Sequence, residues 1–208
     1  MKITAPRITK VLKEDCTLDE MFLQPGEDLA EYSFRNQRVF EFKTENMSMQ
    51  DCLFTNSILI GCGIKKSQFS DIIFKNCDLS NMNFSGSGFH RIEFIECKLI
   101  GTNFSESALN HIVFSNCKAE YLNLSMSKLK YVSFDRCDLR NSSFENGQYA
   151  SVNFHESDLK EAEFYRTSLK GVDFSSCDIS GIRISPIIGC ELRGATVTSF
   201  VWEFKFLQ

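Results

Sequence analysis

The sequence lacks a long apolar segment and most of the residue combinations that mark catalytic or metal sites. No apolar run reaches the length of about 18 residues that a transmembrane helix needs, so we expect no membrane span. No Cys-x-x-Cys pair occurs among the nine cysteines, and the histidines (His90, His111 and His155) lie apart from them in the repeat, so we predict no metal site. Neither Gly-x-Ser-x-Gly nor a glycine-rich phosphate loop is present. We therefore expect neither an enzyme nor a bound cofactor.

The chain has instead a strict period of five. Every fifth residue from Phe54 to Ile184 is apolar, and only the small Ala119 and the hydroxylated Tyr149 depart from a large aliphatic residue or phenylalanine. An amphipathic helix repeats its buried face about once per turn, and a half-buried strand repeats it at every second position. A period of five fits neither, and it therefore predicts a chain that turns a corner every five residues.

A longer period, of four pentapeptides, lies on top of the first. The simplest object with this symmetry is an all-β, four-sided parallel solenoid in which four pentapeptides form one coil. The central residue of each pentapeptide and the residue two positions earlier would face a narrow core, and the other three residues would face solvent. The repeated phenylalanines predicted to stack in this core are Phe54, Phe74, Phe94, Phe114, Phe134, Phe154 and Phe174.

Cysteine recurs at one inner position of this repeat. Cys77, Cys97, Cys117 and Cys137 follow one another at the longer period, and Ser157 takes the next place. We predict that these cysteines are small core fillers. The N-terminus lacks the apolar stretch of a signal peptide, so a cytoplasmic protein with free thiols is expected.

The pattern divides the chain into three parts. Residues 1–33 are expected to form an N-terminal cap, with a short helix starting near the capping-box spacing of Thr17 to Glu20. Residues 34–186 form the solenoid, which becomes regular from about residue 50. Residues 187–208 form a C-terminal cap, whose alternating aromatic residues predict a strand that covers the last coil or pairs with a second subunit. These candidate dimerisation residues are Phe200, Trp202, Phe204 and Phe206.

Several pentapeptides resemble the consensus Ala-(Asp/Asn)-Leu-x-x of pentapeptide-repeat proteins, for example Cys77-Asp78-Leu79-Ser80-Asn81 and Cys137-Asp138-Leu139-Arg140-Asn141. Within that superfamily the chain is most similar to the Qnr and MfpA group of quinolone-resistance proteins. The resemblance implies a right-handed quadrilateral β-helix that forms a homodimer through its C-terminal ends. It also implies a protein that imitates DNA, binds DNA gyrase and topoisomerase IV, and protects them from quinolones.

Within the solenoid, most of the negative charge lies in the C-terminal coils. Residues 135–178 contain nine acidic and five basic residues, and Asp138, Asp158 and Asp178 share one outward position in successive coils. We expect these three, with their neighbours Glu156, Glu161, Glu163 and Asp173, to form a negative band that contacts the topoisomerase. The alternative is structural, because an aspartate before a corner commonly accepts hydrogen bonds from local backbone amides. No side of the solenoid accumulates lysine and arginine, so direct nucleic-acid binding is not expected.

Two other functions fit the same sequence. One is a generic interaction scaffold with an unknown partner. The other is an immunity protein against a toxin that targets gyrase.

Overall fold

A computed structural model describes residues 1–9, 11–14, 17–18 and 28–184. Its strands are short and follow each other closely along the chain. They are Leu29–Ala30 (β1), Ser33–Arg35 (β2), Arg38–Phe40 (β3), Lys43–Glu45 (β4), Ser48–Thr55 (β5), Ile58–Ile60 (β6), Gly63–Lys65 (β7), Gln68–Lys75 (β8), Gly88–Ile95 (β9), Ala108–Ser115 (β10), Lys128–Asp135 (β11), Gln148–His155 (β12), Glu163–Phe164 (β13) and Arg183–Ile184 (β14).

Parallel pairing between residues four pentapeptides apart confirms the four-sided parallel β-helix. Phe54 in β5 lies beside Phe74 in β8, Phe74 lies beside Phe94 in β9, and the same offset holds throughout. The described residues form about eight coils. We name the four sides by their central residues: side A contains Phe69, side B Phe74, side C Leu79 and side D Phe84, and each side recurs once per coil.

The four sides are not equivalent. Sides A and B share the eight-residue strands β5 and β8 to β12, which form one continuous sheet. On sides C and D most coils after β7 make only single parallel bridges, such as Asp138 with Asp158. There the chain closes local turns, in which the amide of Met82 donates to the carbonyl of Leu79 at 3.2 Å. The period of five did not predict this difference.

At nearly every corner of the described coils, one residue lies in the left-handed backbone region. This residue lies two positions after the central one, as with Asn56 (φ 52°) and Gly101 (φ 66°). Asparagine and glycine adopt this region at low cost, and both recur at the corners. Charged residues occupy many of the other corners, whereas two successive corners of one coil carry the large residues Tyr121 and Met126.

The core is the predicted column of stacked phenylalanines on side B. The rings of Phe94, Phe114 and Phe134 are fully buried and nearly parallel, with neighbouring centroids 4.8 and 4.7 Å apart. The column starts one coil earlier than the strict pattern, at Phe34. It continues without a break through Phe54, Phe74, Phe94, Phe114, Phe134, Phe154 and Phe174.

The predicted column of small inner residues also lies in the core. The four thiols from Cys77 to Cys137 are buried, and the seven cysteines among the described residues are free. The Cys137 thiol donates to the carbonyl oxygen of Phe114 at 3.5 Å, and the Ser157 hydroxyl donates to that of Phe134 at 3.4 Å. A hydroxyl and a thiol are therefore equivalent at this position, because each is small and donates to a carbonyl of the previous coil.

Regular pairing begins before residue 34. Leu29 in β1 already lies in register with Met49, and Lys13 forms a single parallel bridge to Tyr32 at the first edge. Most of the expected N-terminal helix and all of the expected C-terminal cap, including its aromatic residues, lie outside the described residues. Within the described ranges, no helix is long and apolar enough to cross a membrane.

Candidate interaction surface

Three aspartates of the predicted acidic band, Asp138, Asp158 and Asp178, lie side by side on side C. Parallel bridges join Asp138 to Asp158 and Asp158 to Asp178. Each carboxylate also accepts a hydrogen bond from the amide two residues later. The distances from Arg140, Lys160 and Ser180 are 3.3, 3.1 and 3.0 Å. Each of these aspartates thus stabilises its own corner, in agreement with the structural alternative.

Basic side chains lie between these carboxylates. The Arg140 guanidinium is 2.7 Å from the Asp138 carboxylate and 3.8 Å from that of Asp158. The Lys160 ammonium is 3.8 Å from Asp158 and 3.0 Å from Asp178. Side C therefore carries a column of alternating acidic and basic groups, and most of its negative charge has a nearby counter-charge.

These contacts stabilise the ionised carboxylates. The hydrogen bond from Arg140 is the main reason why the pKa of Asp138 is lowered. The hydroxyl and amide of Ser180, together with the Lys160 ammonium, lower the pKa of Asp178 to about 2. Exposure increases towards the C-terminus along this column, because the side chains of Asp138, Asp158 and Asp178 are 27%, 34% and 43% exposed.

The other four acids of the predicted band are spread over neighbouring sides. Glu156 occupies the corner between sides B and C, and Glu161 occupies the corner between sides C and D. Glu163 lies on side D, where Arg183 contacts it at 2.6 Å and also approaches Glu161 at 3.6 Å. Asp173 lies on side B, where it accepts the amide of Ser175 at 2.8 Å. The seven acids surround the C-terminal coils rather than forming one strip.

Two exposed apolar residues were not predicted from the sequence as surface features. Tyr121 is 60% exposed and Met126 is 53% exposed, at the two corners that flank side D in one coil. Tyrosine and methionine are common in protein interfaces. Their place in the repeat could have revealed them, because a large apolar side chain at a corner is unusual where most corners carry a polar residue or glycine.

Metal chemistry has no support within the described ranges, where no group of three or more histidine, cysteine, aspartate or glutamate side chains could hold an ion. The histidines lie apart from one another except at the corner between sides A and B, where His90 and His111 approach with ring centroids 5.9 Å apart. The His155 imidazole instead contacts Asp135 at 2.8 Å.

The fold and the repeat define a class, that of solenoids built from five-residue units. Residues 87–164 match the family model described as a pentapeptide repeat region, and residues 150–185 match the model of pentapeptide repeats in eight copies. Residues 87–185 are therefore a pentapeptide-repeat region.

Among solved structures, the chain is similar to a trypsin-treated form of QnrB1, described as a plasmid-mediated fluoroquinolone resistance protein. The TM-score is 0.52 at 17% identity, over 79% of this chain and 91% of that one. HetL from the cyanobacterium Nostoc, a pentapeptide-repeat protein involved in the regulation of heterocyst differentiation, matches at a TM-score of 0.43 and 17% identity, over 82% of this chain and 78% of HetL. At these identities the similarity establishes the fold alone. No curated protein matched the sequence.

Proposed function

We propose that this protein binds a type II topoisomerase, DNA gyrase or topoisomerase IV, and protects it from quinolones. The observation that carries the proposal is the similarity to QnrB1 along most of both chains, because QnrB1 is described as a fluoroquinolone resistance protein. The acid excess of residues 135–178 supports it, since a protein that competes with DNA needs negative charge on its surface.

The local geometry indicates which acids would make the contact. Asp138 is held by Arg140 and is the least exposed of Asp138, Asp158 and Asp178, so it has the least freedom of the three to meet a partner. Asp178 is the most exposed of the three, and Glu156 and Glu161 are about half exposed at corners. We propose that these three carboxylates contribute most to a contact with basic groups of the topoisomerase. A homodimer formed through the C-terminal ends would place two copies of this acidic region close together.

A supercoiling assay tests the proposal. Gyrase, relaxed plasmid and ciprofloxacin are incubated with increasing amounts of the full chain, and we expect supercoiling to recover. No recovery, together with no measurable binding to either topoisomerase, would reject the function.

A matched pair of variants tests the acidic region. Asp78 and Asp178 lie in the same column of side C, and each accepts the amide of a serine two residues later at 3.0 Å and its hydroxyl at 2.6 or 2.7 Å. Asp178→Asn and Asp78→Asn should therefore cost the fold about the same. We expect several-fold weaker protection from D178N only, and equal protection by both variants would exclude Asp178 as a contact.

One observation favours a second candidate, a generic interaction scaffold. Asp138, Asp158 and Asp178 already have local hydrogen bonds and nearby cations, so their presence needs no partner. If the scaffold is correct, the chain will not bind gyrase, and D178N and D78N will behave alike in every functional assay.

A further inference from the structure

The N-terminal segment lies lengthwise along the outside of the β-helix, at the corner between sides A and B. Three of its backbone amides donate to side chains at this corner in three of four successive coils. Thr9 donates to Asp51 at 2.8 Å, Arg7 to Asp71 at 2.8 Å and Thr4 to His111 at 3.1 Å. We call residues 1–9 the arm and these three acceptors, Asp51, Asp71 and His111, the ledge.

The spacing of these bonds matches an extended chain. Strands in successive coils are about 4.8 Å apart, and an extended chain advances about 3.3 Å per residue. Asp51 and Asp71 are one coil apart, and the two residues from Thr9 to Arg7 are more than long enough to cover that distance. Asp71 and His111 are two coils apart, or about 9.6 Å, and the three residues from Arg7 to Thr4 cover that distance when extended. The spacing of the three donors along the arm therefore matches the spacing of the three acceptors of the ledge.

The two carboxylates of the ledge are buried, and the Arg91 side chain orients that of Asp71. Asp51 and Asp71 are only 7% and 5% exposed, although corner positions usually face solvent. Burial raises the pKa of Asp71, but the hydrogen bonds from the Arg91 side chain and the Arg7 amide outweigh it and the pKa is lowered. The imidazole of His111 is held by the ring of Tyr131, which stacks on it at 4.7 Å.

The arm contributes backbone and small apolar surface rather than specific polar side chains. All three hydrogen bonds to the ledge come from main-chain N–H groups. Ile3, Pro6 and Ile8 are half-buried, and Pro6, which has no N–H to donate, lies between donors at a position that makes no bond to the ledge. Ile8 lines a surface depression with Leu53, an outward-facing apolar residue of side B.

We propose that the ledge is a binding site for an extended segment of a partner protein, and that the arm occupies it as a resident competitor. Backbone N–H groups are the same in every residue except proline, so recognition through them does not depend on which side chains the partner segment has. A partner strand needs only an apolar residue before each donor, as Ile3, Pro6 and Ile8 precede Thr4, Arg7 and Thr9. It must also lack proline at the donor positions.

A synthetic peptide with the sequence of residues 1–9, labelled at its C-terminus, tests the site on the full-length protein. We expect saturable binding by fluorescence anisotropy. Binding should accelerate hydrogen exchange at the arm's own Thr9 and Arg7 amides, because the peptide displaces the arm. A peptide with proline in place of Arg7 loses a donor and should bind on the order of tenfold or more weakly. Absence of binding, or equal binding of both peptides, would overturn the proposal.

A pair of corner variants separates the ledge from general effects on the fold. Asp51→Gly removes one acceptor, whereas Asn56→Gly changes the next corner of the same coil, which lies off the ledge. Both residues have a left-handed backbone, with φ of 55° and 52°, so glycine fits equally well at either place. We expect D51G to accelerate exchange at Thr9 and to weaken peptide binding on the order of tenfold or more, while N56G leaves both unchanged. Equal behaviour of the two variants would refute the site.

If D51G frees the arm but no peptide binds in trans, the ledge serves only the chain's own N-terminus and the proposal is wrong. None of these measurements involves a topoisomerase, so the result is independent of the proposed function.

Discussion

A phenylalanine in this core is held by its neighbours above and below rather than by residues close in sequence. The Phe114 ring stacks on Phe94 and Phe134 and meets the edge of Phe104 at 6.3 Å. Its loss would leave a cavity in a narrow core that cannot collapse, because each wall is fixed by hydrogen bonds to the adjacent coils.

We therefore expect Phe114→Ala to lower the free energy of unfolding by about 3–5 kcal/mol. Urea denaturation followed by circular dichroism measures this change. Phe40→Ala is the control, because Phe40 is 55% exposed and should cost much less. Similar losses from the two variants would contradict the stacked core.

Some corner residues have a backbone conformation that destabilises the fold. Tyr121 adopts a φ of 58° in the left-handed region, where a residue with a Cβ is destabilised by about 1–2 kcal/mol. Its ring is largely exposed, so burial of the side chain compensates little of this cost. Asn141 occupies the same corner one coil later with a φ of 57°.

Tyr121→Asn should raise the free energy of unfolding by about 0.5–1 kcal/mol, because asparagine tolerates this conformation. Asn141→Ala should have the opposite sign and a similar size. Thermal melts of the two variants give the comparison. A stability loss in Y121N would mean that the tyrosine ring makes a packing contribution larger than the backbone strain.

At the scale of one element, the coil is the unit that repeats. On side C the inner residues from Cys97 to Ser157 each donate to the chain one coil earlier, so the chemistry of such a residue matters less than its size and its ability to donate. Cys117 donates its thiol to the carbonyl of Phe94 at 3.3 Å, and Ser157 makes the equivalent bond two coils later.

Cys117→Ser should therefore be close to neutral, with a change below about 1 kcal/mol, since a hydroxyl keeps the donor. Cys117→Leu should cost about 1–3 kcal/mol, because the narrow core has no space for the added atoms. Chemical denaturation under reducing conditions compares them. If serine costs as much as leucine, the thiol has a role that packing does not explain.

The period of five was enough to predict the coils, because burial of the central residue depends only on the repeat. It placed Phe114 and Cys117 correctly. It could not predict the long strands of sides A and B, since the same apolar spacing suits an extended side and a turned one. It also missed the arm, because residues 1–9 have no repeat and their contacts, such as Arg7 with Asp71, join positions far apart in sequence.

The candidate site shows the same limit. Sequence spacing correctly placed Asp138, Asp158 and Asp178 beside each other. A count of charges by segment did not reveal that Arg140 and Lys160 lie between them, because a net charge of a segment contains no information about pairing across coils. The true negative surface is therefore weaker on side C than the count suggests.

At the scale of the whole molecule, ionised aspartates stabilise corners along much of the length of the rod. The pKa values of Asp71, Asp78, Asp138 and Asp178 are all lowered, so each carboxylate is more acidic in the folded chain than in the unfolded one. A group with a lowered folded pKa stabilises the fold above its unfolded pKa and loses that contribution as the pH falls through the folded value. For Asp178 this window runs from the ordinary value of 3.8 down to about 2.

We therefore expect these four carboxylates to leave the urea midpoint nearly constant from neutral pH down to about pH 5. Their protonation should then lower the midpoint between about pH 4 and pH 2. Ser180→Ala tests the cause, because the Ser180 hydroxyl and amide make the leading contributions to the low pKa of Asp178. In S180A the pKa of Asp178 should move back towards its ordinary value, so the loss of stability between pH 4 and pH 2 should become smaller. NMR titration of the Asp178 carboxyl would measure that shift directly. Because alanine keeps the backbone amide at this position, an unchanged titration would show that the amide and Lys160, rather than the Ser180 hydroxyl, keep the Asp178 carboxylate ionised.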